Sequence, residues 1–94
     1  MTLDLFITSK TRRKIITAFA KYPDLKTHVR GLAKMVREDP GNVQRELQKL
    51  LEVGFVRSDR HGNSMVYQAN PKFMFYRELQ SMVLKSQASR VMAR

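Results

Sequence analysis

A chain of 94 residues with 43% hydrophobic content can bury one core and not two. Its 18 Lys and Arg against 8 Asp and Glu give a formal charge of +10, the balance of a protein that meets a polyanion, although small basic proteins also use charge for solubility alone. The absence of cysteine excludes disulfides, thiolate metal sites and cysteine nucleophiles, and no signal sequence or run of about 18 apolar residues is readable, so a cytoplasmic location is expected.

The first predicted element is a helix. Ser9 is a good N-cap, Ile15, Ile16 and Phe19 form an apolar stripe, and Pro23 with Asp24 ends it. Ahead of it, Leu3, Leu5, Phe6 and Ile7 are too apolar to lie free in water, and they either extend the helix or pack on a second subunit. A short extended piece around Lys26 to His28 follows. Val29, Leu32, Ala33 and Val36 then keep the i, i+3, i+4, i+7 spacing of an amphipathic helix.

Only Arg37, Glu38 and Asp39 separate that helix from the next. In "EDPGNVQRELQKLLEVGFV", Asp39 is a competent N-cap, Pro40 suits the first helical position, and Gly54 sits where a helix ends in a left-handed residue. Two helices joined so tightly make a helix-turn-helix candidate. In "FVRSDRHGNSMVYQA" the Gly62-Asn63 pair reads as a two-residue hairpin turn. Pairing about it sets Val56 opposite Ala69 and Ser58 opposite Tyr67 on an inward face, with Arg57 and Gln68 pointing outward. Asn70 and Pro71 open a last helix with Phe75, Leu79, Met82 and Val83 as its stripe, and fraying is expected beyond Gln87.

The predicted fold is therefore mainly α with a small β-hairpin: a single winged helix-turn-helix domain over residues 1–94, with a three-helix core, a two-stranded wing and a C-terminal helix. "LFITSKTRRKIITAFA", "HVRGLAKMV", "DPGNVQRELQKLLEVGFVRSDRHGN" and "YQANP" together resemble the bacterial and archaeal winged-helix regulators of the ArsR-like superfamily, over about Leu5 to Leu84. The resemblance implies transcription regulation through DNA binding by a homodimer. Its interface would come from residues 1–8 and 72–94.

With Val43, Leu47, Leu50 and Leu51 facing the core, Asn42, Gln44, Arg45, Gln48 and Lys49 are left on the outward face of the recognition helix 40–53. These are base-reading side chains. Asn and Gln pair with adenine, Arg and Lys with guanine, at about 1–3 kcal/mol of discrimination for each good pair. Gly41 and Asn42 leave the helix tip slim enough to approach phosphates. The wing 55–69 offers Arg57, Arg60, His61, Asn63 and Ser64 for the backbone or the minor groove. Lys10, Arg12, Arg13 and Lys14 form a third cationic group, placed where they oppose their own helix dipole and so suggest an external anion.

Where the family pattern has Gly and an apolar residue in the turn and Ser at the cap, this chain has Arg37, Glu38 and Asp39. Glu38 gives up the hydrophobic staple with Val43, and two acids at a phosphate-facing tip would weaken binding or hold the tip away from the backbone. A lone domain of this size makes too small an interface for tight specificity, so a homodimer on half-sites about 34–36 Å apart is expected.

No catalytic constellation is present: the serines lack a nucleophile-elbow context, there is no Gly-rich phosphate loop, and the acids are scattered. The two histidines, His28 and His61, have no ligand partners at metal spacing, so neither metal nor cofactor is expected, and no small-molecule effector can be named. Two other readings stay open. The same fold could dock an acidic protein partner, such as an adjacent nucleotidyltransferase-like protein, or a basic last helix with Lys72, Arg77, Lys85, Arg90 and Arg94 could bind RNA or a membrane surface.

Overall fold

Local capping sets the helices. The computed structural model describes residues 9–82. The side chain of Ser9 accepts the Arg12 backbone N–H at 3.2 Å and opens α1, Lys10–Lys21. A two-residue strand β1, Lys26–Thr27, leads into α2, Val29–Val36, which ends on Arg37 in the left-handed conformation at φ 58°, ψ 48°. Asp39 accepts the Asn42 N–H at 3.1 Å and caps α3, Pro40–Val53, and Gly54 closes it at φ 89°. The caps Ser9, Asp39 and Gly54 sit where the sequence places them.

The strands β2, Val56–His61, and β3, Ser64–Ala69, form an antiparallel hairpin in the expected register, with Val56 opposite Ala69, Ser58 opposite Tyr67 and Arg57 opposite Gln68. Gly62 alone of the two turn residues has positive φ, at 63°, as a type II′ turn requires of its first central residue. The extended piece before α2 is a strand of the same sheet. It pairs with β3, Lys26 against Gln68 and Thr27 against Tyr67, so the sheet has three strands in the order β1-β3-β2.

The core lies between the three helices and the inner sheet face: Ile15, Ile16 and Phe19 of α1, Leu32 of α2, Val43, Leu47 and Leu50 of α3, and Phe55 and Val56 at the sheet are essentially inaccessible. Burial of this apolar area is the main stabilising term, at about 25 cal/mol per Å². Asn70 ties the end of β3 back to the α3–β2 junction, its side chain donating to the Gly54 carbonyl at 2.9 Å and its N–H to the Phe55 carbonyl at 2.8 Å.

The last helix starts later than expected. Residues 71–75 form turns, with i to i+3 bonds from Phe73 to Asn70 and from Tyr76 to Phe73, and α4 is helical over residues 76–82. Asn70 is the reason: its side chain accepts the Lys72 N–H at 3.1 Å, which favours a tight turn over a helical start at Pro71. Phe55 then packs edge-on to Phe73 and stacked on Tyr76, both at 5.8 Å between ring centres. The predicted stripe residues Leu79, Met82 and Phe75 are buried or packed on the core, whereas Val83, residues 1–8 and the basic residues Lys85, Arg90 and Arg94 lie outside the described residues. The architecture is a winged helix-turn-helix, mainly α, as the sequence predicts.

Candidate nucleic-acid interface

The hydrophobic spacing of α3 decides which of its residues can meet a partner. Val43, Leu47 and Leu50 are turned into the core, which leaves Gln44, Arg45, Gln48 and Lys49 exposed and Asn42 half-exposed on the opposite side. All five predicted residues therefore share the outward face. Asn42 is already engaged, since its side-chain oxygen accepts a hydrogen bond from the Arg45 guanidinium. An i, i+3 pair of this kind holds both side chains at the helix tip.

Gly41 has a second reason to be small. A Cβ added there would lie 2.9 Å from Asp39 Oδ2, the oxygen that caps the helix. The glycine makes room for its own cap as well as for any phosphate.

The hairpin register divides the predicted wing residues between two faces. Arg60 pairs with Met65 on the side that also carries Tyr67, whereas Arg57 and His61 lie on the other side with Gln68 and Ser64. Met65 and Tyr67 line an open groove together with Gln44 of α3, His28 just ahead of α2, and Arg30 and Lys34 of α2. Arg60 thus shares the side of the sheet that faces the recognition helix. Arg57 shares the outer face with Lys26, on either side of Gln68. Asn63 is exposed at the hairpin tip. Asp59, an exposed acid on the same face as Arg57, adds a negative charge to that side.

The cluster at the start of α1 is only half outward. Lys10 and Arg13 are exposed, but Arg12 donates through Nε to Glu46 Oε1 at 2.7 Å, with side-chain exposures of 16% and 12%. Lys14 donates to Glu38 Oε2 at 2.6 Å and to the Val36 carbonyl at 3.1 Å, so it caps the C-terminal end of α2. The internal carboxylates explain much of the unfavourable dipole position of these cations. Thr11, buried between them, donates its hydroxyl to Glu38 Oε1 at 3.1 Å.

Glu38 therefore does not stand as a bare acid at the helix tip. The hydrogen bond from Lys14 is the largest influence on it, and despite partial desolvation its carboxyl is held below the usual glutamate range. The expectation that Glu38 leaves uncompensated negative charge beside a phosphate needs this correction, and its loss of the hydrophobic staple is replaced by an ionic one. Asp39 is consumed by its cap. Sequence reasoning missed Arg30 and Lys34, an exposed i, i+4 pair on α2 that forms the cationic wall of the groove; the signal was their spacing in "VRGLAK".

No family model and no curated protein sequence matches this chain. Solved structures do. The antimony-specific transcriptional repressor AntR has 26% identity and a TM-score of 0.69, covering 95% of this chain and 78% of that one. A possible transcriptional regulator from Methanosarcina mazei Go1 has 21% identity and a TM-score of 0.60, covering 84% and 69%. Wild-type ZitR of Lactococcus lactis in complex with DNA has 15% identity and a TM-score of 0.64; it covers 90% of this chain, which spans 58% of the length of ZitR. The fold is shared with transcriptional regulators. Among the described residues no helix is long and apolar enough to cross a membrane, and no three His, Cys, Asp or Glu side chains gather where they could hold a metal ion.

Proposed function

We propose that this protein is a sequence-specific DNA-binding transcriptional regulator that acts as a homodimer. The observation that carries the reading is the composition of one continuous side of the molecule. Gln44, Arg45, Gln48 and Lys49 are exposed on α3, Arg30 and Lys34 flank the groove beside it, and Arg60 lies on the sheet face across that groove. Three acids of this region, Glu38, Asp39 and Glu46, are held by intramolecular partners, and Glu52, near the far end of α3, is the exposed acid on this face among the described residues.

In this reading α3 enters the major groove. Asn42 and Arg45 act together at its tip, with Gln44, Gln48 and Lys49 reaching base edges further along. Arg60, Arg57, His61 and Asn63 of the wing, with Lys10 and Arg13 of α1, supply backbone contacts that are indifferent to sequence. The apolar residues 1–8 and the segment 72–94 form the dimer contact, as the ArsR-like resemblance implies. ZitR, which shares the fold and is seen in complex with DNA, supports DNA as the class of partner.

Sequence selection from a randomised duplex pool tests this reading. Arg45→Ala should relax the preference of the selected duplex over a scrambled one, by about 1–3 kcal/mol at the position read. Arg60→Ala should weaken both duplexes alike. Enrichment of no sequence by the wild-type chain would overturn the proposal.

A further inference from the structure

The carboxylate of Glu46 stands between the body of the protein and the face assigned to DNA. One oxygen, Oε1, accepts from Arg12 Nε of α1 at 2.7 Å, across 34 residues of sequence. The other, Oε2, lies 3.7 Å from Lys49 Nζ, one turn further along α3 on the exposed side. Glu46 and Arg12 are both largely buried, and Lys49 is half exposed.

This arrangement supplies what the core cannot. Val43, Leu47 and Leu50 hold α3 against the domain, but apolar contact is non-directional and tolerates a small roll of the helix about its axis. A charge-assisted N–H···O bond is short and directional. It fixes the roll, and a few degrees of roll displace the tips of Gln44, Arg45 and Gln48 relative to base edges.

We propose that Glu46 is a specificity-determining positioning residue, which sets the orientation of the recognition helix through Arg12 and the direction of Lys49 through its second oxygen. The proposal rests on the reading that α3 meets DNA. Arg12 is then a strut and not a phosphate contact, and Glu46 makes no contact with the nucleic acid. The position of Arg12 in the first turn of α1, where a cation opposes the helix dipole, fits a side chain kept for a partner on another element.

The test uses the full chain, the duplex that wild type selects from a randomised pool, and a scrambled duplex of equal length, each titrated over a salt series. The readout is the ratio of the two affinities, which a fall in folded fraction leaves unchanged because it lowers both alike. Glu46→Gln and Arg12→Gln should each reduce this ratio tenfold or more, and the double variant should be no worse than either single one. For Arg12→Gln the salt slope on scrambled duplex should stay at the wild-type value. An unchanged ratio in Glu46→Gln, independent additive losses in the double variant, or a salt slope reduced by about one in Arg12→Gln, as for a lost phosphate contact, would each overturn the proposal. If wild type retains neither duplex, the DNA reading fails and takes this inference with it.

Discussion

Lys14 of α1 and Glu38 of the turn, 24 residues apart in sequence, meet at 2.6 Å, and the same ammonium reaches the Val36 carbonyl at the end of α2. The contact locks the helix-turn-helix turn onto the first helix. Because Lys14 depresses the Glu38 carboxyl, the pair stabilises the fold fully above the unfolded glutamate value of about 4.3 and is lost as pH falls through the lower folded value. In urea unfolding, the wild type should exceed Glu38→Gln by a steady margin at neutral pH, and the margin should shrink below about pH 4. A margin that persists undiminished to about pH 2 would contradict the pairing.

Arg37 is the sole non-glycine residue with positive φ among the described residues, at 58°. It serves as the left-handed cap of α2, and the Glu38 N–H then reaches the Ala33 carbonyl at 3.1 Å. A side chain in this conformation costs about 1–2 kcal/mol, so Arg37→Gly should raise stability by about 1 kcal/mol while Arg37→Ala should not. Equal stability of the two variants in urea would show that the turn carries no such strain.

Gly41 presents two opposed terms. Alanine there gains up to about 1 kcal/mol of helix propensity but crowds Asp39 Oδ2, the capping oxygen, whose loss costs about 1 kcal/mol. Gly41→Ala should thus leave the wild type nearly unchanged and stabilise Asp39→Ala clearly. Thermal melts of the four proteins settle the point, and equal gains in both backgrounds would mean that Gly41 does not serve the cap.

The two wing arginines are on opposite sheet faces, and Arg60 has the groove side. Arg60→Ala should therefore weaken binding to scrambled duplex more than Arg57→Ala and reduce the salt slope more. A larger loss from Arg57→Ala would place the nucleic acid against the outer face with Lys26.

Much of this fold is legible in sequence because its punctuation is local. Ser9, Asp39, Gly54 and the Gly62-Asn63 turn each act within a few residues, and the hairpin register follows from the turn alone. The late start of α4 is not legible in sequence, because Asn70 is a plausible helix opener and only its side-chain bonds to Gly54 and Lys72 mark the turn. The ion pairs of Arg12 with Glu46 and Lys14 with Glu38 span 34 and 24 residues, and no local pattern announces them. That is why "KTRRK" reads as four outward cations when only Lys10 and Arg13 are exposed, and why Glu38 reads as an obstacle when it is a fastener. The outward residues of α3 were readable because hydrophobic period alone determines them.

The face formed by α3, the groove and Arg60 is proposed to bind duplex DNA, and the decisive measurement is the salt dependence of wild-type affinity for mixed genomic duplex. With several phosphates neutralised by Lys and Arg, log affinity should fall steeply and linearly with log salt, at about −0.9 per phosphate contacted. Failure to retain duplex DNA at about 50 mM salt, or an affinity indifferent to salt, would contradict it.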